Sequence, residues 1–198
     1  MSSIPRRALL LLAFIATAAL AQQTEDSRPV QSTLDHGRDV DRTRMTQSPL
    51  SKTVTPASFA AKAAAIGEAE IELGRLAMQQ TQDPRVRDYA QRMVNDHQAA
   101  AAKLQQIAAQ EKLELPQVLD AEHEALKQKL SELKGAAFDR EYAKAMAKGH
   151  DQAVALFESA SQAPQMTPRL KEFAAATLPT LKQHMQLAHE LHARSSAH

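Results

Sequence analysis

The chain has 198 residues, a formal net charge of +1, no cysteine, no tryptophan and only 5 glycines. Without cysteine there is no disulfide, no thiolate ligand, no thiol nucleophile and no acylated lipoprotein cysteine. The few glycines form neither G-x-G-x-x-G nor G-x-x-x-x-G-K-[ST], which leaves no phosphate-cradling loop of the nucleotide-binding kind. Alanine supplies about one residue in five and, with leucine, glutamine, glutamate and lysine, makes helix the expected state.

Arg6 and Arg7 precede an apolar run from Ala8 to Leu20, which closes on Ala19-Leu20-Ala21, an A-x-A cleavage site. This is the layout of a secretory signal peptide. A run of about 13 residues is short for a hydrocarbon layer of about 30 Å. The sequence therefore predicts a periplasmic protein, exported by the general secretory route and cleaved after Ala21. The flanks of Arg6-Arg7 fit the twin-arginine route poorly. Cleavage removes two of the 24 basic residues, leaving 22 against 23 acidic ones and a net charge of −1. With no basic stripe and no interleaved aromatics, nucleic acid is not an expected partner. Residues 22–54 are polar, of mixed charge and without helical or strand period, so they read as a disordered tether, with His36 a solvated loop residue.

A four-helix domain is expected over 55–194. Thr55-Pro56, Asp83-Pro84 and Thr167-Pro168 each place a capping side chain before a proline at the first helical position. The first helix is expected over 56–80, with Phe59, Ala63, Ile66, Glu70, Leu73 and Ala77 on one face and Gly67 and Gly74 allowing close approach. The second is expected over 84–110, with Val86, Tyr89, Met93, His97, Ala100, Leu104 and Ile107 as a seam. The short link at 81–83 makes these two antiparallel neighbours. After Leu115-Pro116 a helical stretch to Lys134 is expected; about 18 residues at 1.5 Å each cover a bundle's length. That stretch would return the chain, so that the second and third long helices run parallel, the one-long-crossover topology of ferritin-like bundles. The third is expected over 136–161 around Phe138, Tyr142, Met146, Ala153 and Phe157. The fourth, over 168–193, carries Leu170, Phe173, Leu181, His184 and Leu191, with Pro179 expected to kink or bulge it. Most of the apolar residues are small, so the core is expected to be thin and the helices close.

Glu70, His97 and His184 interrupt these faces and His150 lies at the edge of the third helix's face, about 80° from its centre, so each long helix supplies one polar candidate. An ionised glutamate on a core face costs on the order of several kcal/mol unless it is paired or bound to metal. Counting from the helix ends puts Glu70, His97 and His150 about 13 residues in from the same end, and His184 about a turn out of level. Two readings follow. The residues hydrogen-bond one another and fix the bundle's register, or they hold a single first-row transition-metal ion such as Zn, Fe, Cu or Mn. No Glu-x-x-His accompanies His97 or His184, which argues against the carboxylate-rich di-metal site of ferritins. Asp96 and Asp151 adjoin His97 and His150 and read as exposed helix acids, with orientation of those histidines as the alternative. Tyr89 and Tyr142 read as core aromatics with hydrogen-bonded hydroxyls. His189, His192 and His198 read as a solvated tail.

Phe59 to Leu191 resembles a bacterial family of exported proteins, the domain of unknown function 4142 family, placed in the ferritin-like superfamily. The resemblance rests on Glu70-Ile71-Glu72-Leu73-Gly74 with Leu76-Ala77, on Tyr89-Ala90 with Met93 and Asp96-His97, on Phe138-Asp139-Arg140 with Tyr142, on His150, and on Leu178-Pro179 with Leu181 and His184. It implies an envelope-associated helical bundle and brings no reaction and no ligand set. No catalytic constellation stands out in the chain. The sequence therefore reads as a non-enzymatic periplasmic protein, an envelope-stress or interaction module with an unidentified protein partner or self-association. The alternative is a metal-binding, redox-active bundle centred on the four polar residues.

Overall fold

The computed structural model describes residues 54–196. The leader at 1–21, the tether up to residue 53, His36 and His198 lie outside the described residues. The described chain forms five helices: α1 (Pro56–Gln80), α2 (Pro84–Glu111), α3 (Ala121–Ser131), α4 (Gly135–Gln162) and α5 (Pro168–Ser195). The all-α class expected from composition holds, and the four long helices end within two residues of the sequence estimates.

The helix starts follow from their caps. The Thr55 hydroxyl accepts from the Ser58 N–H, and the Ser58 hydroxyl accepts from the Thr55 N–H, a reciprocal box. Asp83 accepts from the Arg85 N–H, and Thr167 from the Leu170 N–H. Each of these helices also has proline in its first turn, where no backbone donor is needed.

Side-chain bonds across the ends set the topology. Gln80 Nε2 donates to the Ser131 carbonyl (3.1 Å), and the Thr81 hydroxyl donates to Asp139 Oδ1 (2.6 Å). The end of α1 and the starts of α2 and α4 therefore share one end. At the other end the Thr167 hydroxyl meets Glu111 Oε1 (2.8 Å), and Gln165 Nε2 donates to the Val54 carbonyl (2.7 Å). Hence α1 and α2 are antiparallel, α4 and α5 are antiparallel, and α2 and α4 run parallel, as the crossover argument requires. The crossover differs in form from the expected 18-residue helix. Only α3, 11 residues, is helical. Pro116 disfavours helix in the residue before it, and the Asp120 carboxylate caps the helix by accepting from the His123 N–H, so the helix starts only at Ala121. Val118, within the stretch expected to be helical, lies outside α3 and is 75% exposed.

The core falls into two apolar clusters. One gathers Phe59, Leu104, Phe157, Leu170, Phe173 and Leu181; the other gathers Leu73, Tyr89, Met93, Leu130, Phe138, Tyr142 and Met146. In each long helix the interrupting polar residue lies between the positions given to the two clusters. Pro179 does not break α5, which runs helical from Pro168 to Ser195.

The two glycines of α1 differ. A Cβ at Gly74 would lie 2.9 Å from Val94 Cγ2 and 3.1 Å from the Ala90 carbonyl oxygen, so this glycine is where α1 and α2 touch. A Cβ at Gly67 would meet nothing within 4 Å, so the expected close approach is absent there. Gly67→Ala should raise stability by about 0.5–1 kcal/mol through helix propensity. Gly74→Ala should lower it by about 1–3 kcal/mol through overpacking. Urea denaturation of the two variants checks this, and equal effects would refute the assigned contact.

Candidate metal centre

Each long helix delivers one of the four polar side chains to a common level. Relative exposure is 3% for Glu70, 6% for His97 and 0% for both His150 and His184. The ring centroids lie 5.8 Å apart for His97 and His150, 5.4 Å for His97 and His184, and 5.4 Å for His150 and His184. One ring nitrogen from each histidine falls within 4.8 Å of the others. The one-turn offset expected for His184 therefore does not keep it from the cluster. Glu70 Oε2 lies 2.7 Å from His97 Nε2, and Oε1 lies 3.4 Å from His150 Nδ1. All four residues singled out in the sequence are thus in one place.

The bonding of the second ring nitrogens is informative. His150 Nδ1 lies 2.9 Å from the Met146 carbonyl, which can only accept, so this nitrogen carries the proton. His184 Nε2 lies 2.8 Å from Asp96 Oδ2 and donates to it when the carboxylate is ionised. In each case the remaining nitrogen, His150 Nε2 or His184 Nδ1, has no hydrogen-bond partner. His97 Nε2 and both Glu70 oxygens are also without one. The 2.7 Å approach of Glu70 to His97 is off the line a ring N–H would take, so neither atom gains a hydrogen bond from it. Buried polar atoms left this way are costly. At His150 and His184 an inward lone pair, with the outer nitrogen held by a carbonyl or carboxylate, matches the way metal-ligating histidines are oriented. With His97 beside them, the three buried imidazoles could hold a metal ion.

Both acids are partly exposed, as read from the sequence, and neither orients its sequence neighbour. Asp96 bonds His184 across the α2–α5 interface, not its neighbour His97. Asp151 Oδ1 pairs with the exposed His189 Nε2 at 2.8 Å, not with His150. Consecutive helical residues do not face each other, so an adjacent acid serves a neighbouring helix instead. The tyrosines depart from expectation. Tyr89 Oη is 3.5 Å from His150 Nδ1, at the limit of a hydrogen bond, and the buried Tyr142 hydroxyl has no partner. Their place beside the site was missed, although a signal existed. Tyr89 precedes His97, and Tyr142 precedes His150, by the same spacing on parallel helices. Burial, and the Glu70 charge, push both phenols above their ordinary range, so they stay protonated.

Burial alone would raise the Glu70 carboxyl, but charge on His150 and His97 outweighs it and holds the group down at about 2. Burial opposes charge on His97, but the Glu70 carboxylate prevails and holds this ring above its ordinary value. His184 is pushed down to about 4, by burial first and by the neighbouring histidines, against the pull of Asp96.

A family model described as Domain of unknown function (DUF4142) matches residues 41–191. No curated protein matches the sequence. The fold is similar to a solved DUF305 fragment from Deinococcus radiodurans, with TM-score 0.62 and 16% identity over 70% of this chain and 95% of that one. It is also similar to a DUF305 protein from Streptomyces coelicolor, with TM-score 0.61 and 17% identity over 72% of this chain and 93% of that one.

The titrations predict a stability maximum near pH 6.5 for metal-free protein. The unfolded His184 ring takes up a proton near 6.5 but the folded ring only near 4, so stability falls as pH drops across that window. The loss is on the order of 3 kcal/mol. Glu70 adds a second loss as pH falls from 4.5 to about 2. The His97 contribution is fully present below 6.5 and is lost as pH rises through its elevated folded value. Thermal melts across this range check the shape, and His184→Asn should flatten the limb between pH 6.5 and 4. An unchanged slope in that variant would assign the limb to other groups.

Proposed function

The chain belongs to the family described as Domain of unknown function (DUF4142), a name that carries no reaction, and from that starting point we propose that it is an exported bundle protein that holds one first-row transition-metal ion through His97, His150 and His184 with Glu70. The observation that carries this reading is the set of unpartnered donor atoms, three imidazole nitrogens and a carboxylate, enclosed where two apolar clusters meet. A cluster kept for its own hydrogen bonds would satisfy those atoms with one another. A nitrogen-rich set with one carboxylate suits Zn, Fe, Cu or Mn. The competing polar-cluster reading draws on the 2.7 Å approach of Glu70 to His97.

The Arg6-Arg7 leader, its apolar run and the A-x-A site at Ala21 support export and cleavage. No helix among the described residues is long and apolar enough to cross a membrane. An envelope-stress role then takes the form of metal handling in the periplasm, with the tether at 22–54 joining the bundle to the cleaved end.

The test is elemental analysis of untagged protein exported on its own leader, beside the double variant His97→Ala/His184→Ala. About one metal per chain is expected in the wild type and none in the variant, with a mature N-terminus at Gln22. Added metal at a hundredfold excess over its dissociation constant should stabilise the wild type by about 2.7 kcal/mol and leave the variant unmoved. No retained metal, together with unchanged melting on adding zinc, manganese or iron(II), would sink the metal reading.

A further inference from the structure

A cavity of about 270 Å³ reaches the cluster, with His97 and His184 in its wall. It exists because small residues occupy this stretch. Ala63, Gly67, Ala100 and Ala153 line it, and the space beside Gly67 is open. The rest of the interior sets the apolar Leu104, Phe157, Phe173 and Leu181 beside Thr177, Thr180 and Gln105, and the Thr177 hydroxyl is already bonded to the Phe173 carbonyl. The extended half of the crossover, Leu115 to Gln117, contributes the outer side. The exposed Glu68 and the half-buried Asp96 add negative charge at the edge. The polar end is formed by the two histidines, whose His97 Nε2 and His184 Nδ1 are unpartnered.

We propose that this cavity is a binding site for a small, neutral, largely apolar molecule with a single donor atom, seated with that atom toward His97 and His184. The preference for a donor atom rests on the metal reading above, while the apolar site itself does not. Size bounds the occupant. An apolar cavity of about 150 Å³ already takes benzene. Drug-sized ligands occupy about 300–1,000 Å³. The space here suits one or two fused rings. The wall makes a charged molecule costly to desolvate, and Glu68 and Asp96 repel anions. A three-histidine metal site is also the type that leaves a coordination position for an outside ligand.

Three probes of similar shape test this by calorimetric titration at neutral pH: benzimidazole, which carries a donor nitrogen; indene, which carries none; and benzoate, which is anionic. The protein is loaded with zinc or stripped of metal, with metal content measured on each sample. Saturable binding of benzimidazole to the loaded protein is expected, at least tenfold tighter than indene, with benzoate not binding. Gly67→Leu fills the open space and should weaken benzimidazole at least tenfold while metal content holds. Ala64→Leu, in the same wall, is a second filler should the first not fold. No saturable binding of benzimidazole or indene to any form, or undiminished binding in a folded filled variant, would overturn the proposal. Equal affinity of benzimidazole and indene for metal-loaded protein would overturn the donor-atom orientation. Binding of both in wild type that takes up no metal, lost on filling, would refute the metal reading and uphold the apolar site.

Discussion

The structure turns on one constraint: a carboxylate and three imidazoles enclosed at one level of an apolar bundle, each from a different helix. Their burial is near complete, and it is answered by their mutual arrangement and by the Asp96 and Met146 carbonyl contacts to His184 and His150. The topology follows from this requirement. His150 reaches the level of Glu70 and His97 only because the crossover returns the chain to the end where α2 began, making α4 parallel to α2. A tight turn in place of Leu113 to Lys134 would have made α4 antiparallel, and the spacing from Gly135 to His150 would then have measured from the wrong end. The bonds of Gln80 to Ser131 and Thr81 to Asp139 tie that returning chain down at the shared end.

The charge balance of the cluster is equally constrained. One carboxylate neutralises one imidazolium, and further protons on the cluster meet repulsion among buried groups. The opposite displacements of His97, upward, and His184, downward, express this division. In the metal-free protein Glu70 favours charge on His97, a proton that metal binding there would displace, whereas burial keeps His184 neutral, the state in which an imidazole can ligate. Asp96 and the Met146 carbonyl hold the outer nitrogens of His184 and His150, so each free lone pair is set by the second-nitrogen contact. These contacts connect α2 with α5 and tie His150 to its own helix, and so couple the site's orientation to the packing.

The long helices were legible because their starts are written in local chemistry: a capping oxygen followed by proline acts within one turn and needs no tertiary partner. The four interrupting residues were legible because a polar residue at a core period conflicts with burial unless something answers it. What was not legible depends on contacts between helices. Asp96 and Asp151 read in sequence as exposed acids beside a histidine, and nothing local points to their partners, which are 88 and 38 residues away. The crossover reads as one helix from the length it must span, although Pro116 and the Asp120 cap carry a competing local signal. Gly67 and Gly74 look alike in sequence. Only the path of α2 distinguishes the one that is a contact from the one that faces open space.

The two sides of the cluster are unequal, and the inequality originates in side-chain size. Toward Phe138 the core is filled by Tyr89, Met93, Tyr142 and Met146, large groups that leave little space around Glu70 and His150. Toward Phe59 the small Ala63, Gly67, Ala100 and Ala153 lie next to the cluster, with the larger Ile66, Leu104, Phe157 and Leu181 around them. A uniformly alanine-rich core would have drawn its helices together along their whole length, as Gly74 does for α1 and α2. Here His97 and His184 hold the helices at a spacing their small neighbours do not fill. The void is thus the geometric consequence of placing large polar side chains among alanines, and it gives the two histidines an apolar approach that His150, packed against Tyr89 and Met146, does not share.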